Sequence, residues 1–338
     1  MGVEAALNWL MQLSLLLIGL AASFAAAQTV QTPKLPDGYR AAPVVTDLRG
    51  PTQMTFGPDG RFWVAQLAGG ENAGTGQVVA VDLATGERKA LLRNLFKPTG
   101  LAVTETDVWV MAGNRLLRAP LTENGVGKTE VVLRDLPNNG RSLGTLTLTP
   151  DGALLYETSG ALTPSGPQPG SGILWRLEPG SKPEPLATGL KGAYAHTFGV
   201  DGTLYTTEVG DDFMNGSPPP DELNVVTAGA DYGWPRCYGR QRPATNNGGT
   251  AQECARTKTP LALFARGATP TSVAVSPFQK DTLLVALWAT AQVVQIDTET
   301  GDVTPFLTLT LPQHLVVDGD ALLVSSFADG TVYRITTE

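Results

Sequence analysis

Short apolar or aromatic runs, each bounded by Gly, Pro and Asp, recur along the whole chain, while helical apolar periodicity with capping residues is nearly absent. The runs come in a unit: an apolar strand, a tight turn, and a second strand rich in aromatic or β-branched residues. The unit reads "PTQMTFGPDGRFWVAQ", "PTGLAVTETDVWVMA", "LGTLTLTPDGALLYETS", "AYAHTFGVDGTLYTTE", "PTSVAVSPFQKDTLLVAL" and "PQHLVVDGDALLVSS", six copies in all. A third strand follows in most copies, as in "GQVVAVDL", "NRLLRAPL", "GILWRLEP" or "AQVVQIDT". Repeats of about 40–50 residues with three or four strands each are the mark of a β-propeller. The pattern therefore predicts an all-β chain, folded over residues 36–338 as a six-bladed β-propeller. The last copy has three strands, and "YRAAPVVTDL" near the N-terminus is a strand without a blade. It is expected to complete the last blade and close the ring, which leaves no edge open to pairing with another chain. Two packed sandwiches are the alternative architecture, and they leave that strand unexplained.

One stretch breaks the repeat. Blade four carries a long insertion at about 208–260, with "PPPDELNVVTAGADYGWPRCYG" at its centre. Three prolines stiffen it, and loops this long inside a compact domain are usually functional or disordered. Its two cysteines, Cys237 and Cys254, are the only ones in the chain. In an exported protein they most simply form a disulfide; two buried free thiols are the alternative.

Export is expected from the N-terminus. Leu10 to Ala26 is apolar, and "ASFAAAQ" offers small residues at Ala25 and Ala27, so residues 1–27 read as a signal peptide and the protein as periplasmic or secreted. No Lys or Arg precedes Lys34, which leaves a start at Met11 or a weak anchor as alternatives. The formal net charge of −8 repels phosphate backbones and anionic lipid heads, so neither nucleic acid nor a membrane surface is expected as partner, and a small molecule is.

Aligning the repeats places Met54, Leu101, Leu146, His196, Val273 and Leu315 in one buried column. A few residues upstream, in the loops entering the innermost strands, stand Arg49, Lys97, Arg141, Lys191 and Arg266. Cations from five repeats at one rim suggest a basic funnel for a polycarboxylate, a phosphate or an anionic sugar; solvated loop charges are the alternative. His196, within the buried column, reads as a core histidine, whereas His314, one position before it, is free to face the channel. Asp211, Asp212, Asp221 and Glu222 crowd the insertion, and such carboxylates repel unless a cation or donors neutralise them. Oxygen-rich irregular loops suit Ca²⁺, and the absence of HExxH or CxxC leaves zinc unsupported.

The insertion, preceded by "GTLYTTEVGDD", resembles the soluble quinoprotein sugar dehydrogenases, in particular the L-sorbosone dehydrogenase-like branch of the glucose/sorbosone dehydrogenase family. That resemblance implies a calcium-dependent six-bladed propeller that binds pyrroloquinoline quinone (PQQ) on the channel rim and oxidises an aldose or related sugar, passing electrons to an acceptor. It implies calcium held by Gly210, Asp211, Asp221, Glu222 and the carbonyl of Tyr232. Arg141, Lys191 and Arg266 become the candidates for the carboxylates of the quinone. The departures fall on the chemistry. The family histidine that takes the substrate's hydroxyl proton, just before the third inner strand, is missing from "NNGRSLGTLTLTPDG", where Arg141 stands in its place. An arginine is no general base near neutral pH. The family Arg-Asn pair before the fourth inner strand reads Lys191 and Gly192, and a histidine expected before the fifth is replaced around Arg266 and Gly267. Asp135 and His314 are the remaining candidates for a base. The alternatives are a calcium-stabilised propeller that binds an anion or sugar without oxidising it, and a metal-dependent lactonase.

Overall fold

The computed structural model describes residues 30–338 apart from 124 and 211. The expected export segment 1–27 and Asp211 therefore lie outside the described residues. Six antiparallel sheets, each built on four strands, form the blades of a six-bladed propeller. In blade one the strands from the channel outward are Pro51–Phe56, Phe62–Gln66, Gly76–Val81 and Arg88–Leu95. The second strand is buried at every position, because neighbouring blades cover both of its faces; this is why it reads as a continuous apolar run. The outer strand is covered less completely and exposes Arg88, Lys89 and Arg93 while burying Leu92 and Leu95. Between blades, side chains interdigitate in clusters such as Tyr205, Leu223, Val273, Val285 and Val294 between blades four and five.

The inner strands of the other blades are Pro98–Val103, Thr147–Leu148, His196–Phe198, Pro270–Val275 and Pro312–Asp318. The expected column holds: Met54, Leu101, Leu146, His196, Val273 and Leu315 are all buried. Ring closure also follows the sequence. Tyr39–Val45 pairs antiparallel with Val332–Thr337 and supplies the outer strand of the last blade.

The insertion is divided rather than continuous. Glu222–Val225 is the third strand of blade four, pairing with Leu204–Glu208, and Ala262–Leu263 is the fourth. Glu222 and Asn224 are buried on one face of that strand and Leu223 on the other, so half of the usual apolar signal is missing. Between strands three and four the chain forms the hairpin Cys237–Tyr238 with Arg242–Pro243 and a one-turn helix, Ala251–Cys254. The disulfide Cys237–Cys254 joins them. In the chain-entropy picture, closing a loop of this length contributes about 3 kcal/mol.

Gln53 of blade one bonds across to two other blades. Its Oε1 accepts from the backbone N–H groups of Leu101 (2.7 Å) and Leu146 (2.9 Å), and its Nε2 donates to the carbonyl of Leu146 (2.7 Å). One side chain thus serves the unpaired inner edges of blades two and three. Below it lie the only two histidines of the chain. His196 contacts the Ala193 carbonyl through Nε2 (2.9 Å), and Nδ1 of His314 accepts from the N–H of Met54 (3.4 Å). Burial pushes His196 down to about 4 and His314 down to about 3. Both rings are neutral in the fold, whereas unfolded histidines take up protons below about pH 6.5. Stability from these groups is therefore intact above that pH and falls as pH drops below it, by about 1.4 kcal/mol per pH unit for each ring until the folded values are reached. An NMR titration of the ring protons should show no inflection between pH 8 and 5. A midpoint near 6.5 for either ring would contradict its burial.

Candidate active site at the channel mouth

Every inner strand begins at one mouth of the channel and ends at the other. Thr52, Thr99, Gly192, Tyr194, Thr271 and Gln313, at or before the starts of inner strands, line a cavity of about 510 Å³. Residues farther along the inner strands, Thr55, Thr197, Val275 and Val317 among them, line a second cavity at the opposite end. The first cavity has the size of a site for a cofactor-sized ligand. Blade-to-blade hydrogen bonds surround it. Thr52 Oγ1 donates to the Pro98 carbonyl (2.7 Å), Thr145 to Tyr194 (3.2 Å), Thr207 to Pro270 (3.2 Å) and Thr271 to Pro312 (3.2 Å). Thr99 is the exception: it lines the cavity, is 4% exposed, and its Oγ1 has no protein partner. A buried hydroxyl left this way costs free energy unless a ligand or water completes it. On another wall Trp288 and Phe327 meet edge to face at 6.2 Å.

Of the five rim cations, the cavity is lined by Arg141 alone. Lys97 is drawn into an ion pair with Glu71 (2.9 Å), whose carboxylate is on the cavity wall. Arg49 is exposed and absent from the lining. Lys191, expected at the quinone, is 4% exposed and turns into the insertion. Its Nζ donates to the Gly160 carbonyl (2.6 Å), pairs with Asp212 (2.8 Å) and lies 5.5 Å from the centre of the Trp234 ring. Trp234 in turn donates to Asp212 (2.6 Å) and sits so close to blade three that a Cβ at Gly160 or Gly172 would fall 2.7 Å from its ring. Arg266 is exposed, and Nη1 donates to Ser217 Oγ of the insertion (2.6 Å). The candidate bases are not in this cavity either. His314 lines the opposite one, together with Gln53. Asp135 is exposed beyond the outer strand of blade two, outside the lining.

The two carboxylates that do line the cavity, among the described residues, are Glu71 and Glu157. Glu157, 1% exposed, comes from the second strand of blade three, Leu154–Thr158. Its Oε1 accepts from the N–H of Gly144 (3.0 Å), and the hydroxyl of Ser159 donates to both oxygens (3.0 and 3.3 Å). The inner strand of this blade is only Thr147–Leu148, so the backbone at Gly144 is served by a side chain instead of a ladder. Gly144 has no room for anything larger: a Cβ there would lie 2.1 Å from the Tyr194 carbonyl oxygen. The Tyr194 hydroxyl accepts from Gln313 Nε2 (3.5 Å), and burial, aided by the charges of Glu157 and Glu71, pushes the phenol up to about 12.

The insertion emerges at this same mouth, since Val209, directly after the second strand of blade four, lines the cavity. Beside it is a closed void of about 10 Å³, room for one water or ion. Gly210, Glu222 and Tyr232 border it, as do Glu208 and Lys191. Glu208 and Glu222 face each other across strands, and Asn224 Nδ2 donates to both (3.2 Å each). Burial and the neighbouring carboxylates push Glu208 well above the carboxylate range; burial pushes Glu222 up to about 7. Asn224 Oδ1 is buried without a hydrogen-bond partner. Asp221, expected with these ligands, does not border the void. Its Oδ1 accepts from Gly210 N–H (2.8 Å) and its Oδ2 from Thr269 N–H (2.7 Å). Among the described residues no three His, Cys, Asp or Glu side chains group to hold a metal, so a cation here would depend on the carboxylate pair together with backbone oxygens.

Sequence reasoning passed over Glu157, Glu208 and Asn224. The signal is a carboxylate at or near the end of a second strand, "LLYET" and "LYTTE", where every other position is buried.

The fold recurs in solved structures. The PQQ-bound aldose sugar dehydrogenase of Streptomyces coelicolor superposes with a TM-score of 0.69 at 18% identity, over 90% of this chain and 100% of that one. A calcium structure of a Trichoderma reesei carbohydrate-active enzyme of family AA12 gives 0.74 at 18% identity, over 94% and 100%. The holo PQQ domain of Coprinopsis cinerea pyranose dehydrogenase gives 0.72 at 16%, over 93% and 99%. No curated protein matches the chain by sequence. The family model for glucose/sorbosone dehydrogenase matches residues 104–305, more than half of the sequence, and the chain therefore belongs to the glucose/sorbosone dehydrogenase family.

Proposed function

We propose that this protein is a PQQ- and calcium-dependent dehydrogenase of an aldose or related sugar. The observation that carries the proposal is the cavity at the insertion mouth, where a cation, a buried carboxylate and an unpartnered threonine hydroxyl meet an aromatic wall. The residues fit the cofactor. Arg141 offers a bidentate donor to a carboxylate, Thr99 Oγ1 a further donor, and Trp288 with Phe327 an apolar wall for a planar ring system. When bound, PQQ supplies the acceptor for the hydride that the sugar gives up. Gln313 and Ser159 have the hydrogen-bonding capacity to orient sugar hydroxyls at the cavity floor. Export is part of the same reading, and the disulfide supports it.

In this reading calcium would take carboxylate oxygens from Glu208 and Glu222 and backbone oxygens from Gly210 and Tyr232, all of which border the void. Two buried carboxylates side by side call for either a proton or a cation between them. Calcium at a hundredfold excess over its Kd should stabilise the protein by about 2.7 kcal/mol. Glu222→Gln should remove most of that increment, read as the difference in Tm between calcium and chelator; an undiminished increment would refute this ligand set.

A second reading, binding without oxidation, is favoured by Arg141 standing where the family pattern has its histidine. Titration of PQQ into calcium-loaded protein, followed by an aldose and a redox dye, separates the two. Cofactor absorbance with dye reduction supports the dehydrogenase, and absorbance alone supports the binder. Neither would remove both.

A further inference from the structure

We propose that Glu157 is the proton acceptor of this enzyme, replacing from the second strand of blade three the histidine missing at its entry loop. The inference rests on the dehydrogenase reading. A general base must lie in the cavity, be held in one orientation and be able to take a proton near neutral pH. Among the described residues of the cavity wall, four side chains can change charge: Glu71, Arg141, Glu157 and Tyr194. Arg141 stays protonated. Tyr194, pushed up to about 12, keeps its proton as well. Glu71 is more than half exposed, which leaves its carboxylate in solvent at the lip.

Glu157 differs from all three. It projects from a strand buried at every position, so its backbone is fixed. The N–H of Gly144 and the hydroxyl of Ser159 fix its carboxylate, much as a third group orients the base of a catalytic triad. Gly144 lies three positions beyond Arg141, in the segment from which the family histidine would reach the substrate. The same wall is therefore served by a different strand. Arg141 lines the same cavity.

The sugar's hydroxyl O–H bond breaks and its proton passes to a carboxylate oxygen of Glu157. The hydrogen on the same carbon leaves with its electron pair to an ortho-quinone acceptor as the C=O bond forms. With PQQ bound, the two electrons lost by the sugar would pass to the quinone, and Glu157 would release its proton to solvent only once the reduced cofactor is reoxidised.

The test uses full-length protein loaded with PQQ and calcium, glucose as probe, and the variants Glu157→Gln and Glu157→Asp. Gln keeps an oxygen for Gly144 N–H, so cofactor absorbance and Tm should stay close to the parent. Dye reduction by Glu157→Gln should fall about 10²- to 10⁴-fold. Glu157→Asp should recover part of it. Infrared difference spectra on anaerobic addition of glucose supply the readout that a structural role would not move. The parent should gain the carbonyl band of a protonated carboxylic acid, and Glu157→Gln should not. A Glu157→Gln protein that turns over like the parent, or that shows the same band, overturns the proposal while leaving the dehydrogenase intact. A parent that binds PQQ and never reduces the dye overturns the dehydrogenase, and the role of Glu157 with it.

Discussion

Asp221→Ala should destabilise the protein by about 3–5 kcal/mol, the loss of a buried charge-assisted acceptor that leaves two backbone donors without partners. Asp221 is 0% exposed, and its carboxylate ties Gly210, where the insertion leaves blade four, to Thr269, on the loop entering blade five. Its own carbonyl accepts from Phe264 N–H (2.8 Å), a third tie within the same corner. Thr269 is on the wall of the 510 Å³ cavity, so the pin that holds the insertion also holds the rim of that cavity. Asp221→Asn is the sharper variant. An amide can accept only one of the two N–H groups and turns its own NH₂ toward the other, so it should be nearly as destabilising as alanine despite its matching shape. Urea midpoints at fixed pH measure this, and the loss should appear equally in calcium and in chelator. A loss confined to calcium would restore Asp221 to the metal site. A loss under about 1 kcal/mol for both variants would mean that the two N–H groups find other partners.

Asp221 also shows where sequence reasoning stops. Its neighbours in the sequence are acids of one loop, and composition alone suggests that they share a cation. In the fold, adjacent residues point apart: Asp221 goes to backbone donors while Glu222 goes to the void with Glu208. Alternation along a strand separates them, and that strand was hidden because Glu222 and Asn224 bury polar groups where an apolar signal was sought. The rim cations diverge for a related reason. Repetition places Lys97, Arg141, Lys191 and Arg266 at equivalent points of the backbone, but long side chains go where partners are, and Glu71, Asp212 and Ser217 claim three of them. The fold was far more legible. Blade number, the buried column from Met54 to Leu315, the closing strand and the disulfide depend on patterns that the backbone period and cysteine count fix directly.

Gln53→Leu is the second substitution with a large expected effect, about 3–6 kcal/mol, because one side chain satisfies three buried backbone groups on two other blades. Leucine matches the volume of glutamine but carries no polar atom, so the N–H groups of Leu101 and Leu146 and the Leu146 carbonyl would lose their side-chain partner. Gln53→Ala removes the same bonds and opens a polar gap large enough for water, which restores part of the hydrogen bonding. The smaller residue should therefore be the less destabilising one, the reverse of the order that loss of packing alone would give. Chemical denaturation of the two variants decides it. Should alanine prove worse than leucine, Gln53 acts by filling the channel rather than by bonding across it, and the two mouths are separated by packing instead of by a polar bridge.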